Sequence, residues 1–229
     1  MAQRIHFAAN DGSKVEGEIA LPAGTGKAPG LVVIQEWWGV NDHIRSLVDR
    51  FAAEGFVALA PDLYHGVTPK DGGEAGKLMS ALDGARALED IRAAVHALLA
   101  HDRVNGKVGV TGFCMGGAYT LVATTRIPEV AAGVSFYGIP PAGRIDFKAH
   151  KPLMKHVATH DGWVTVPAAE KLKAEFEAHG GALTLHTYDA EHAFMNDTRP
   201  EVHNPEAAKL AWQRSVSFLH QHLDAQKSA

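Results

Sequence analysis

Continuous apolar runs alternate along this chain with longer stretches in which apolar residues return every three or four positions. Leu31-Val32-Val33-Ile34 and Val57-Ala58-Leu59-Ala60 are runs of the kind found in strands buried on both faces of a parallel sheet. Between them, Ile44, Leu47, Val48 and Phe51 fall on one helical face, in a segment capped by Asn41 or Asp42 and ended by Gly55. Residues 63–73 read as a loop, 74–81 as a short helical piece, and 83–100 as a longer helix with Leu88, Ile91, Val95 and Leu98 inward. Further strands are expected over 107–111, 130–138, 151–158 and 183–189, and further helices from Ala118 to about residue 126, over 166–179 and over 205–223. Residues 3–9 and 15–22, separated by Asn10-Asp11-Gly12, predict a β-hairpin at the sheet edge. Such alternation predicts an α/β fold, a mostly parallel central sheet with helices on both faces.

Composition narrows the class. At 229 residues the chain suits one domain over its full length, 1–229, able to bury a sizeable core. The formal net charge of −4 comes with no Lys/Arg stripe, which argues against a nucleic-acid or anionic-membrane partner. No apolar run approaches bilayer length, and no signal-peptide core opens the chain. A single cysteine leaves no internal disulfide and fits a reducing compartment, so a cytoplasmic protein is expected; a monomer is the expected state, although nothing in the sequence fixes it.

That cysteine lies in Gly112-Phe113-Cys114-Met115-Gly116-Gly117, between the strand-like 107–111 and the helix-like run from Ala118. Strand, sharp turn and helix with glycines two before and two after make a nucleophile elbow, because the strained turn leaves no room for side chains. A lone cysteine is more often a small buried hydrophobe. Here the glycines and the strand-to-helix switch favour a sulfur exposed at a helix N-terminus, where the dipole and free N–H groups favour negative charge.

Two later strands end in candidate partners. Asp161 follows the 151–158 strand and His192 follows the last one, which completes the nucleophile, acid, histidine order of the α/β-hydrolase arrangement. His192 would move protons, and Asp161 would fix its tautomer and orientation. The pairs His156/His160 and His220/His222 lack further ligands at metal-site spacing, so no metal is expected. At the end of the first core strand stands Gln35-Glu36-Trp37-Trp38-Gly39, a carboxylate and two indoles where such sheets bind ligands.

With Gln35-Glu36 ahead of Gly39, the cysteine elbow, Asp161 ahead of Val164, and His192-Ala193-Phe194, nearly the whole chain resembles the dienelactone hydrolase (carboxymethylenebutenolidase) family of α/β-hydrolases. The resemblance implies a cofactor-free hydrolase of a small ester or lactone without a large lid domain, working through Cys114, Asp161 and His192. It also implies that Glu36 touches the thiol and takes its proton when substrate binds; a carboxylate beside a thiol opposes loss of that proton until then. The oxyanion hole is expected from the backbone N–H groups of Met115 and Trp37, chosen by position.

The chain departs from the family where substrate is held. Two arginines that grip the substrate carboxylate in those enzymes fall here on Gly72 and Asn196, leaving Arg199 or Lys77 as substitutes. Asn196 and Arg199 are therefore candidate substrate contacts, with Trp37, Trp38, Tyr64, Trp163 and Phe194 as pocket walls. Rival readings are a thioesterase or broad carboxylesterase, a low-turnover ligand receptor, and a thiol redox sensor, the last weakened by the lack of a resolving cysteine.

Overall fold

The computed structural model describes residues 1–225. Its elements in chain order are β1 (Gln3–Ala8), β2 (Lys14–Ala20), β3 (Ala28–Ile34), α1 (Asp42–Ala53), β4 (Val57–Pro61), α2 (Gly72–Ala81), α3 (Gly84–Leu99) and β5 (Val104–Phe113). They continue with α4 (Met115–Arg126), β6 (Val130–Phe136), β7 (Leu153–Ala158), α5 (Val166–Ala178), β8 (Leu183–Tyr188) and α6 (Pro205–Leu223). The strands form one sheet in the order β1-β2-β4-β3-β5-β6-β7-β8. β1 and β2 are an antiparallel hairpin at one edge, β2 joins β4 antiparallel, and the remaining neighbours are parallel. This is the mostly parallel sheet with an N-terminal hairpin that the hydrophobic pattern predicts. No helix among the described residues is long and apolar enough to cross a membrane.

Strand periodicity explains the layering. In β3, Leu31 and Val33 turn to the face covered by α1 and α6, while Val32 and Ile34 turn to the face covered by α3 and α4. A run that is apolar at every position is what a strand covered on both faces requires. Helix entry is set by local chemistry: Asn41 rather than Asp42 caps α1, its Oδ1 accepting from the Ile44 N–H at 3.1 Å.

Several boundaries differ from the sequence expectation. β3 begins at Ala28 and β5 at Val104 because those two residues pair in the parallel ladder, with one shift of register before the next pair, Gly30 and Val108, where β5 carries the extra residues. Gly106, at φ +91°, turns the β5 bulge, so the strand extends ahead of the expected 107–111. α2 starts at Gly72 because the Asp71 carboxylate caps it through the Glu74 N–H at 2.9 Å.

Candidate active site

β5, β6, β7 and β8 end along one edge of the sheet, and their exit loops build the site. Cys114 follows β5 at φ +53° and ψ −116°, a strained conformation for a residue with a Cβ. The turn persists because the elements around it close in at van der Waals range. A Cβ on Gly116 would overlap the carbonyl oxygen of Ile34, one on Gly117 that of Phe136, and one on Gly138 that of Cys114 itself. The Cys114 N–H donates to Phe136 O at 3.1 Å, which ties the turn to β6.

Asp161 and His192 meet because the β7–β8 ladder runs on past the strand ends. Thr159 N–H donates to Tyr188 O at 2.8 Å and His160 N–H to Ala190 O at 3.1 Å, so the two loops leave the sheet side by side. The buried Asp161 Oδ2 then lies 2.7 Å from His192 Nδ1. Asp161 Oδ1 accepts from the N–H groups of Trp163 (2.7 Å) and Val164 (3.0 Å). Burial pushes the Asp161 pKa up, but these hydrogen bonds more than offset it and leave the carboxyl below its ordinary value. Burial likewise pushes the His192 imidazole down, yet hydrogen bonds to Asp161 and Cys114 outweigh it and raise the group to about 10.

Glu36 is nearly inaccessible, at 2% exposure. Its Oε2 accepts from Asn196 Nδ2 at 2.9 Å and its Oε1 lies 3.5 Å from the Tyr137 hydroxyl, so in this structure the carboxylate is held by those two side chains. Gln35 ties the same exit loop to the one after β4, its Oε1 accepting from the Leu63 N–H at 3.0 Å. The N–H groups of Met115 and Trp37 make no hydrogen bond with protein acceptors among the described residues.

A cavity of about 750 Å³ opens beside these groups. Cys114, His192, Glu36, Met115, Trp37, Trp38, Trp163 and Arg199 all line it, so one space brings together most of the residues singled out from sequence. Three named residues sit elsewhere. Phe194 is a core residue between Tyr137 and Tyr188, Tyr64 backs Met115 with its hydroxyl 3.7 Å from the sulfur, and Asn196 is buried behind Glu36 as its hydrogen-bond donor. None of the three lines the cavity, which corrects their expected place in it. Lys77 does not line it either, and Asp161 stands behind His192.

Tyr137 and Arg144 are among the lining residues that the sequence pattern did not single out. Tyr137 reads as part of a buried strand, but at φ +34° it turns its ring against His192, with centroids 5.0 Å apart. A bulky residue before Gly138 at a parallel strand's carboxyl end was the available signal. Arg144 lies in an aperiodic loop, and no sequence pattern placed it.

A parallel-rich sheet with a cysteine elbow after β5, an acid after β7 and a histidine after β8 defines an α/β-hydrolase. The model of the dienelactone hydrolase family matches residues 15–223, and the chain belongs to that family. It is 36% identical to the protein usf of Aquifex pyrophilus, covering 97% of this chain and 100% of that one. It is 31% identical to a carboxymethylenebutenolidase of Pseudomonas sp., covering 96% and 95%. A dienelactone hydrolase-like promiscuous phosphotriesterase from metagenomic libraries superposes with a TM-score of 0.83 at 24% identity, covering 97% and 99%, a likeness of fold. The protein is thus a hydrolase of the carboxylic-ester and lactone class.

Proposed function

We propose that the protein cleaves a small ester or lactone, of the dienelactone-to-maleylacetate type, through a cysteinyl acyl-enzyme. Cys114 Sγ attacks the carbonyl carbon, and the N–H groups of Met115 and Trp37 hold the resulting oxyanion. His192 gives a proton to the departing oxygen, which in a lactone stays tethered as the ring opens. It then takes one from the water that attacks the thioester; the acid leaves and loses its proton to solvent as the carboxylate, and Glu36 returns its proton to the sulfur. Glu36 accepts the thiol proton as substrate arrives, and Asn196 and Tyr137 hold it until then. The same reading has the protein act as a cytoplasmic monomer without a cofactor.

The observation that carries this reading is the 2.7 Å contact from Asp161 Oδ2 to His192 Nδ1, with His192 and the elbow cysteine facing one cavity. Turnover of a dienelactone, followed by ultraviolet absorbance beside a simple aryl ester, tests it. Loss of both activities in Cys114→Ala is expected. Undiminished turnover in that variant would refute it.

A further inference from the structure

The cavity continues past the reacting sulfur along one face of α4, where Met115, Ala118, Tyr119 and Val122 recur at helical spacing. At 1.5 Å per residue, Tyr119 lies roughly 8 Å along the axis from Cys114. There the guanidinium of Arg144 enters from the loop between β6 and β7. Gly84, at the start of α3, makes its seat: a Cβ there would overlap Nη2 and come within 3.3 Å of Cζ and 3.4 Å of the Tyr119 hydroxyl. The loop is clamped from below, with Arg126 donating to the carbonyls of Arg144 (2.5 Å) and Gly143 (3.0 Å). The Asp146 N–H adds a bond to Thr125 Oγ1 at 3.2 Å.

The two cavity-lining arginines differ in state. Arg199 is paired with Glu201, Nε to Oε1 at 2.8 Å. Arg144 has no carboxylate within ion-pair distance among the described residues. Asp83, whose charge reaches the Tyr119 hydroxyl, accepts the Ala85 and Arg86 N–H groups on its Oδ1 at 2.9 and 3.3 Å. Arg144 is exposed to solvent, yet its guanidinium lies against Gly84 on the wall of the cleft. A guanidinium at the end of a mostly apolar cleft is placed to take a planar anion in two parallel hydrogen bonds.

We infer that the preferred substrate is an elongated ester or lactone carrying a carboxylate at the end of its acyl chain away from the scissile carbonyl, bound by Arg144 with the Tyr119 hydroxyl beside it. This rests on the hydrolytic reading above and adds to it the length and charge of the acyl group. A compact substrate anchored close to the sulfur would leave this end of the cleft unused.

The test compares 4-nitrophenyl monoesters of succinic, adipic and suberic acids with neutral 4-nitrophenyl esters of matched length. The anionic-to-neutral ratio of kcat/KM should rise with length. In Arg144→Gln the suberyl ratio should fall about 10- to 100-fold, mostly through KM, as expected on losing a hydrogen-bonded charge pair, with partial return in Arg144→Lys. A ratio unchanged by Arg144→Gln, or no preference for the charged esters at any length, overturns the inference. Neutral-ester turnover in the unmutated protein, and its loss in Cys114→Ala, reports separately on the hydrolytic reading. Calorimetric titration with suberate gives a readout that needs no turnover: binding should weaken at least about tenfold in Arg144→Gln, and equal binding would refute the anion site.

Discussion

Asp161→Asn separates the geometry of the site from its charge. The substituted amide can still accept the two loop N–H bonds through its Oδ1, which the native carboxylate takes at 2.7 and 3.0 Å, so the exit loop keeps its shape. The amide then points an NH₂ at His192 Nδ1 where a carboxylate oxygen stood 2.7 Å away. Nδ1 must become the acceptor, the ring proton moves to Nε2, and Nε2 can no longer take a proton from the attacking water. The loss expected for a wrong tautomer in a triad is about 10⁴-fold in kcat, some 5 kcal/mol.

Stability should fall by roughly 1–3 kcal/mol, because a buried charged hydrogen bond becomes a neutral one. The pH dependence of that deficit has a definite sign. Asp161 is depressed in the folded protein, so its contribution is present above the unfolded value of 3.8 and is lost as pH falls through the folded value. His192 is raised from 6.5 to about 10, so its contribution is complete below 6.5 and is lost as pH rises through 10. The gap in unfolding free energy between the two proteins should therefore be widest between about pH 4 and 6.5. Aryl-ester kinetics and urea unfolding across pH read both effects. A variant within tenfold of native kcat, or a gap that grows toward pH 10, would refute this reasoning.

Asn196→Leu should leave Glu36 Oε2 buried without a donor, at a cost of roughly 1–3 kcal/mol and a fall of a few degrees in Tm; an unchanged Tm would mean that Tyr137 suffices to hold Glu36. Lys155, wholly buried on β7, donates to Gly138 O at 2.5 Å, and burial pushes its pKa down to about 7. Because the unfolded lysine titrates near 10.5, the folded state is penalised fully below pH 7 and less as pH rises toward 10.5. Lys155→Met should therefore raise Tm at neutral pH, with the gain shrinking by pH 10. Chemical unfolding at pH 7 and pH 10 checks this, and a destabilised variant at pH 7 would show that the Gly138 bond matters more than the charge.

What was legible in the sequence depended on how local its cause was. Strand runs, the elbow glycines and the position of His192 after the last strand are set by neighbours in sequence, and Cys114, Glu36, Trp37 and His192 accordingly meet at one cavity. Phe194, Tyr64 and Asn196 sit beside the right motifs, but side-chain direction decides between wall and core, and all three turn inward. Tyr137 depends on a left-handed φ that only the packed loops impose, and Arg144 on a clamp from Arg126 eighteen residues away. The early starts of β5 and α2 were hidden for a related reason, since a glycine such as Gly106 or Gly72 can serve inside an element once its partners are in place.

Trapping the acyl-enzyme tests the central claim most directly. The protein is mixed with a slowly deacylating aryl ester, quenched in acid and measured by intact mass, and the modified peptide is then located. One acyl group per chain on Cys114, labile to hydroxylamine, absent in Cys114→Ala and lost at the rate of turnover, is the predicted result. Steady turnover with no adduct on Cys114, or turnover that survives in Cys114→Ala, would contradict it.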